Sequence, residues 1–106
     1  MVDVNMSLLI DIYSELLTEK QKLSMELFYN EDYSLAEIAE HLGVSRQGVH
    51  ENIRQGTEKI RKFENVLNVK TKSEKLKELI LMLRTAVSKE NTDEVILLLD
   101  KMENIV

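Results

Sequence analysis

One glycine limits what this chain can fold into more than any other residue. Gly43 stands inside "SLAEIAEHLGVSRQGVHENI", residues 34–53. Before it, Leu35, Ile38, Ala39 and Leu42 recur at helical spacing and form one apolar stripe. After it, Ser45 is a helix N-cap residue, followed by Val49 and Ile53 one helical turn apart. A glycine directly after a helix takes the left-handed backbone that ends it without a Cβ penalty. Two helices joined through about three residues containing such a glycine have the helix-turn-helix geometry. Ala39 is small enough to let the two helices cross closely, and Val44 is placed to plug the space between them.

The rest of the chain reads as helix too. There is no proline, and Gly43, Gly48 and Gly56 are the only glycines. In a capping box, a Ser, Thr or Asn accepts from the backbone three residues on, and a Glu or Gln at that position bonds back. Thr18/Gln21, Ser34/Glu37, Thr71/Glu74 and Asn91/Glu94 all fit, and Ser45 is an N-cap without the reciprocal acid. Six helices follow, over about 5–17, 19–30, 35–42, 46–64, 73–89 and from 92 to the end. Their expected inward residues are Met6, Leu9, Tyr13, Leu16 and Leu17 in the first helix and Leu23, Leu27 and Phe28 in the second. In the fourth they are Val49, Ile53, Ile60, Phe63 and Leu67, and "NVKTK" at 68–72 reads as a connector. No segment shows the period-two alternation of a strand. The expected fold is an all-α helical bundle. Residues 1–67 would hold the helix-turn-helix, and 68–106 a C-terminal two-helix extension for packing or dimerisation.

The second helix of such a unit presents its N-terminal outer face to the major groove. Here that face holds Arg46, Gln47, His50, Glu51 and Arg54. An arginine reaches a guanine edge bidentately or clamps a phosphate, a glutamine reads adenine, and a histidine donates to either. The open N–H groups at Ser45–Gln47 suit a phosphate. Lys59, Arg61 and Lys62 add positive charge further along the same helix. The expected nucleic-acid interface is therefore Ser45, Arg46, Gln47, His50, Arg54, Lys59, Arg61 and Lys62. Gly48 and Gly56 inside this helix cost about 1 kcal/mol each relative to alanine. They either allow close approach of another backbone or leave the helix soft.

Residues 17–64, "LTEKQKLSMELFYNEDYSLAEIAEHLGVSRQGVHENIRQGTEKIRKFE", resemble region 4 of bacterial sigma factors. The "LTEKQ" opening, the "SLAEIAEHLGVS" middle and the long basic helix carry the likeness. Nearly the whole chain, with its "SLLIDIYSELLTEKQ" start and helical tail, resembles the YlxM-like family of small bacterial helix-turn-helix proteins. That resemblance implies nucleic-acid binding and a regulatory role associated with the signal recognition particle pathway. The promoter-binding regions that accompany region 4 in sigma factors are absent, so a sigma role is not implied.

Charge weighs against this reading in part. The net charge is −5, and residues 1–33 hold seven acids against two lysines. Residues 34–64 are balanced, five basic against five acidic, so the acidity belongs to the first two helices. Even so, a monomer offering about three phosphate contacts, each worth about −0.9 in salt slope, binds duplex weakly at physiological salt. A homodimer doubles the contacts, and the apolar runs "LILML" at 79–83 and "VILLL" at 95–99 ask for cover on more than one side. The alternative is an accessory of the signal recognition particle pathway that binds protein or RNA without specific DNA binding. Three tyrosines, two phenylalanines and no tryptophan leave little scope for base stacking.

No enzyme is visible. There is no cysteine and no glycine-rich phosphate loop, and the two histidines, His41 and His50, lie nine residues apart. No cofactor and no metal are expected. The acids of "NEDY" at 30–33 and the charges of "EKLKE" at 74–78 read as solvated. The N-terminus has no basic segment before its apolar residues, and no apolar run approaches the ~18 residues of a membrane span. A cytoplasmic location with no membrane partner is expected.

Overall fold

The computed structural model describes residues 3–105. Met1, Val2 and Val106 lie outside the described residues, and with them the outermost ends of the two expected domains and of the sixth helix. The described residues form helices α1 (Val4–Tyr13), α2 (Glu19–Met25), α3 (Leu35–Leu42), α4 (Arg46–Leu67), α5 (Val69–Ser88) and α6 (Thr92–Ile105), and no strand. The fold is all-α. The chain divides into two compact units between Asn68 and Val69.

In the first unit each helix begins where a side chain can satisfy its open N–H groups. Asp3 accepts from the Met6 amide at 3.0 Å. Thr18 and Gln21 form a complete capping box ahead of α2, as do Ser34 and Glu37 ahead of α3. The expected first helix, about 5–17, divides: α1 stops at Tyr13 and a 3₁₀ turn, Ser14–Leu16, carries the chain round. The expected second helix also changes character. It is α-helical to Met25 and then widens into a π-helical turn, Glu26–Asn30, whose closing bond runs from the Glu31 amide to the Glu26 carbonyl at 3.2 Å. An extra residue per turn is accommodated there.

Two clusters make the core of this unit. Met6, Leu9, Ile10 and Tyr13 of α1 meet Met25 of α2 and Ile60 of α4, covered by Leu17, Tyr29 and Phe63. The Tyr13 ring stacks on Phe63 with centroids 6.1 Å apart, and its hydroxyl donates to Glu64 Oε1 at 2.7 Å. Ile38 and Ala39 of α3 meet Val49 and Ile53 of α4, with Leu27, Phe28, Tyr29, Tyr33, Leu35, Leu42 and Val44 packed round them. Val44 is thus seated as expected.

Three expected core residues are exposed: Leu16, Leu23 and Leu67. Leu16 leaves the core because the 3₁₀ turn shifts its angular phase. In α2 the inner face is Gln21, Ser24 and Met25, one residue out of phase with Leu23. Leu67 is the last residue of α4, past the last buried residue of that helix, Ile60.

In the second unit α5 and α6 pack on each other, and Ala86 and Leu98 are its buried side chains. Glu90 takes a left-handed backbone at φ 55. The Asn91 amide reaches back to the Ala86 carbonyl at 2.9 Å, which closes α5. Asn91 then accepts from the Glu94 amide at 3.2 Å and opens α6. Leu81, Val87 and Ile96 remain 66%, 58% and 54% exposed. The expected connector at 68–72 is a single residue: Asn68 is left-handed at φ 53 and α5 resumes at Val69. Thr71 therefore lies inside α5 and not at the helix start that Thr71/Glu74 would mark.

Candidate nucleic-acid interface

Gly43 is left-handed, φ 67 and ψ 36, and ends α3 as a residue with a β-carbon would not readily do. The Val44 amide bonds back to the Ala39 carbonyl at 3.0 Å. Two residues after the glycine, Ser45 opens α4, its hydroxyl accepting from the Gly48 amide at 3.0 Å. A β-carbon on Gly48 would stand 3.1 Å from that hydroxyl oxygen, so the glycine leaves room for the cap. Ser45 thereby serves the helix start, and the first-turn amides of Arg46 and Gln47 face outward without an acceptor within α4.

The phase of α4 is set by its buried face, Val49, Ile53, Gly56 and Ile60. Gly56 is the close approach: a β-carbon there would run into the Met25 side chain and contact Gln21 of α2. The neighbour that requires the glycine belongs to the same chain. The opposite side of α4 exposes Arg46, Gln47, His50, Arg54, Arg61 and Lys62. Arg46, Gln47 and His50 surround one depression beside Leu35. His50, Arg54 and Arg61 border a second, a groove of about 370 Å³ that also takes in Phe28, Tyr29, Leu35, Ile53, Thr57 and Glu58.

The structure does not bring all eight expected residues together. Lys59 is turned to the other side of α4, where its ammonium donates to Gln21 Oε1 at 3.1 Å. Lys62 is exposed but borders neither depression. Arg54 is in place but occupied. Its Nη2 and Nε hold Glu51 at 2.5 and 3.1 Å, and its Nη1 holds Glu58 Oε1 at 3.0 Å. The hydrogen bond to Glu51 raises the Arg54 pKa further above its ordinary value, and the same bond holds the Glu51 carboxyl below the usual carboxylate range. These are exposed pairs, screened by water and salt.

Sequence reasoning missed the aromatic wall of the groove. Phe28 and Tyr29 meet edge to face, ring centroids 5.0 Å apart, and the Tyr29 and Thr57 hydroxyls are 3.3 Å apart. The adjacent aromatic pair "FY" before a polar turn is the available signal; the π-helical turn that aims both rings has no pattern of its own. His41 is exposed at the end of α3, its ring edge-on to Tyr33 with centroids 6.2 Å apart. Among the described residues no group of His, Cys, Asp and Glu is arranged to hold a metal ion. No helix among them is long and apolar enough to cross a membrane.

A family model described as "Putative helix-turn-helix protein, YlxM / p13 like" matches residues 2–99. A UPF0122 protein of Clostridium kluyveri is 37% identical over 103 residues, spanning 97% of this chain and 93% of the relative. A UPF0122 protein of Staphylococcus haemolyticus is 51% identical over 69 residues, 65% of this chain and 63% of its own. One from Listeria welshimeri is 48% identical over 67 residues, 63% and 61% of the two chains.

Proposed function

Since the chain belongs to the YlxM / p13-like family of helix-turn-helix proteins, we propose that it is a non-enzymatic nucleic-acid-binding protein that presents α4 to its ligand. The observation that carries this reading is the outward set Arg46, Gln47, His50, Arg54 and Arg61, held on one helix directly after the Gly43 turn. Arg46, Gln47 and His50 lie in the first turns of α4 and are placed for base edges. Arg54 and Arg61 continue along the helix toward phosphates. Ser45 fixes the helix start rather than the ligand, and Lys62 adds long-range attraction.

Fluorescence anisotropy of labelled duplex DNA over a salt series tests this. Arg46→Ala is expected to weaken binding by about 1–3 kcal/mol and to relax sequence preference. Arg61→Ala should weaken all sequences alike and reduce the salt slope by about one. Wild-type binding by both variants would overturn the reading.

A homodimer is part of the proposal. The exposed Leu81, Val87 and Ile96 support it, and so does the need for more phosphate contacts than one α4 supplies. A second reading is favoured by the grip of Glu51 and Glu58 on Arg54, which weakens the claim of a duplex on that residue. In it the chain is an accessory of the signal recognition particle pathway that binds protein or RNA without specific DNA binding. The same titration with the particle's RNA in place of duplex tests its RNA form, and capture from lysate with and without nuclease tests its protein form.

A further inference from the structure

The groove beside α4 has an apolar wall that phosphate contact does not require. Phe28, Tyr29, Leu35 and Ile53 make its walls, Arg54 and Arg61 stand exposed at its mouth, and it encloses about 370 Å³. A regular duplex offers such a groove nothing. Its base faces are stacked away, and only edges and phosphates reach the surface. An unpaired nucleotide presents an aromatic face and a phosphate within one unit.

The geometry points to an unpaired nucleotide as the occupant, its base against the Phe28–Tyr29 wall and its phosphate at Arg61 and Arg54. This inference rests on the nucleic-acid reading of α4 and names the ligand class that α4 prefers: a duplex or hairpin with a bulged or flanking single-stranded base. At the mouth of the groove, which Glu58 also lines, Arg61 is the cation open to a phosphate. Arg61 has no ion-pair partner in the chain among the described residues, while Arg54 is already shared with Glu51 and Glu58. The charge balance of the chain supports the inference. A net charge of −5 leaves phosphate attraction weak, and stacking is a source of affinity that does not depend on it. The scarcity of aromatic residues in the sequence is offset by placement, two of them lining one groove on the polar side of α4.

Short RNA and DNA hairpins, each either fully paired or carrying a single bulged 2-aminopurine, test the inference by anisotropy and by aminopurine emission. The wild-type chain is expected to prefer the bulged hairpin by roughly tenfold, with a change in aminopurine emission on saturation. The RNA and DNA arms tell which backbone it favours. Tyr29→Leu should remove the preference for the bulged over the paired hairpin. Arg61→Gln should weaken both and lower the salt slope. Equal binding of paired and bulged hairpins with unchanged emission would overturn the base site while leaving α4 as a duplex-binding helix. Absence of binding to any hairpin would overturn both. The emission signal of the wild-type chain decides the matter even where Tyr29→Leu loses its thermal transition.

Discussion

At Gly56, helix propensity and packing pull in opposite directions. Alanine would favour the helix by about 1 kcal/mol over glycine. Its β-carbon would run into the side chain of Met25, which is fully buried and would have to shift within the core. Overpacking of this kind costs about 1–3 kcal/mol, so Gly56→Ala is expected to lower stability in urea denaturation. A gain in stability would mean that α2 and α4 are not so close. Glu51 bears on the ligand instead. Glu51→Gln removes an anion from the outward face and frees one side of Arg54, so affinity for duplex DNA should rise in an anisotropy titration. Unchanged affinity would take Arg54 out of the interface. Glu37 bears on pH. The Ser34 backbone amide, and after it the Ser34 hydroxyl, hold its carboxyl below the usual glutamate range. A carboxyl with a lower pKa folded than unfolded contributes stability above its unfolded pKa and loses it as pH falls through the folded one. Thermal melting should therefore shift downward on acidification through and below the ordinary glutamate range. Glu37→Gln keeps the capping bond and should flatten that part of the profile.

Among the elements, α3 was the most legible in the sequence, because its signals are local at both ends. A capping box opens it, a glycine closes it, and its apolar stripe matches one helical face. Ala39→Leu tests the crossing that this stripe implies. The residue is nearly buried with Ile38, Val49 and Ile53, and three added heavy atoms there should cost about 1–3 kcal/mol in thermal or urea unfolding. An unchanged melting temperature would place Ala39 away from the crossing. The second helix was less legible, because the residues on its inner face include the polar Gln21 and Ser24. A hydrophobic pattern points away from such a face and toward Leu23. The site divides along the same line. Arg46, Gln47, His50 and Arg54 follow from the period of α4 alone, whereas Phe28 and Tyr29 come from a turn brought alongside by packing. Lys59 was open to exclusion by the same period: it lies beside Ile60 and Gly56, on the flank that faces α2.

For the whole molecule, the two units differ in how much of their apolar content they bury. The first encloses two clusters, while the second buries Ala86 and Leu98 and leaves a series of large aliphatic side chains exposed. Sedimentation equilibrium of the full chain is therefore expected to give a dimer. A chain ending at Asn68 should be a monomer that keeps its helix content. A single monomeric species for the full chain across the micromolar range would overturn this. The sequence places a boundary at 67/68 and the units part after Asn68, but of the expected connector "NVKTK" only Asn68 lies in the break. Asparagine tolerates the left-handed backbone better than most residues, and that tolerance shortens the join to one position. The consequence concerns degradation. A protease takes its target as extended chain and needs several consecutive residues out of helix. The join offers one. Scission at Lys70 or Lys72 thus records a moment when the first turn of α5 has come undone, and its rate is a clock for that opening.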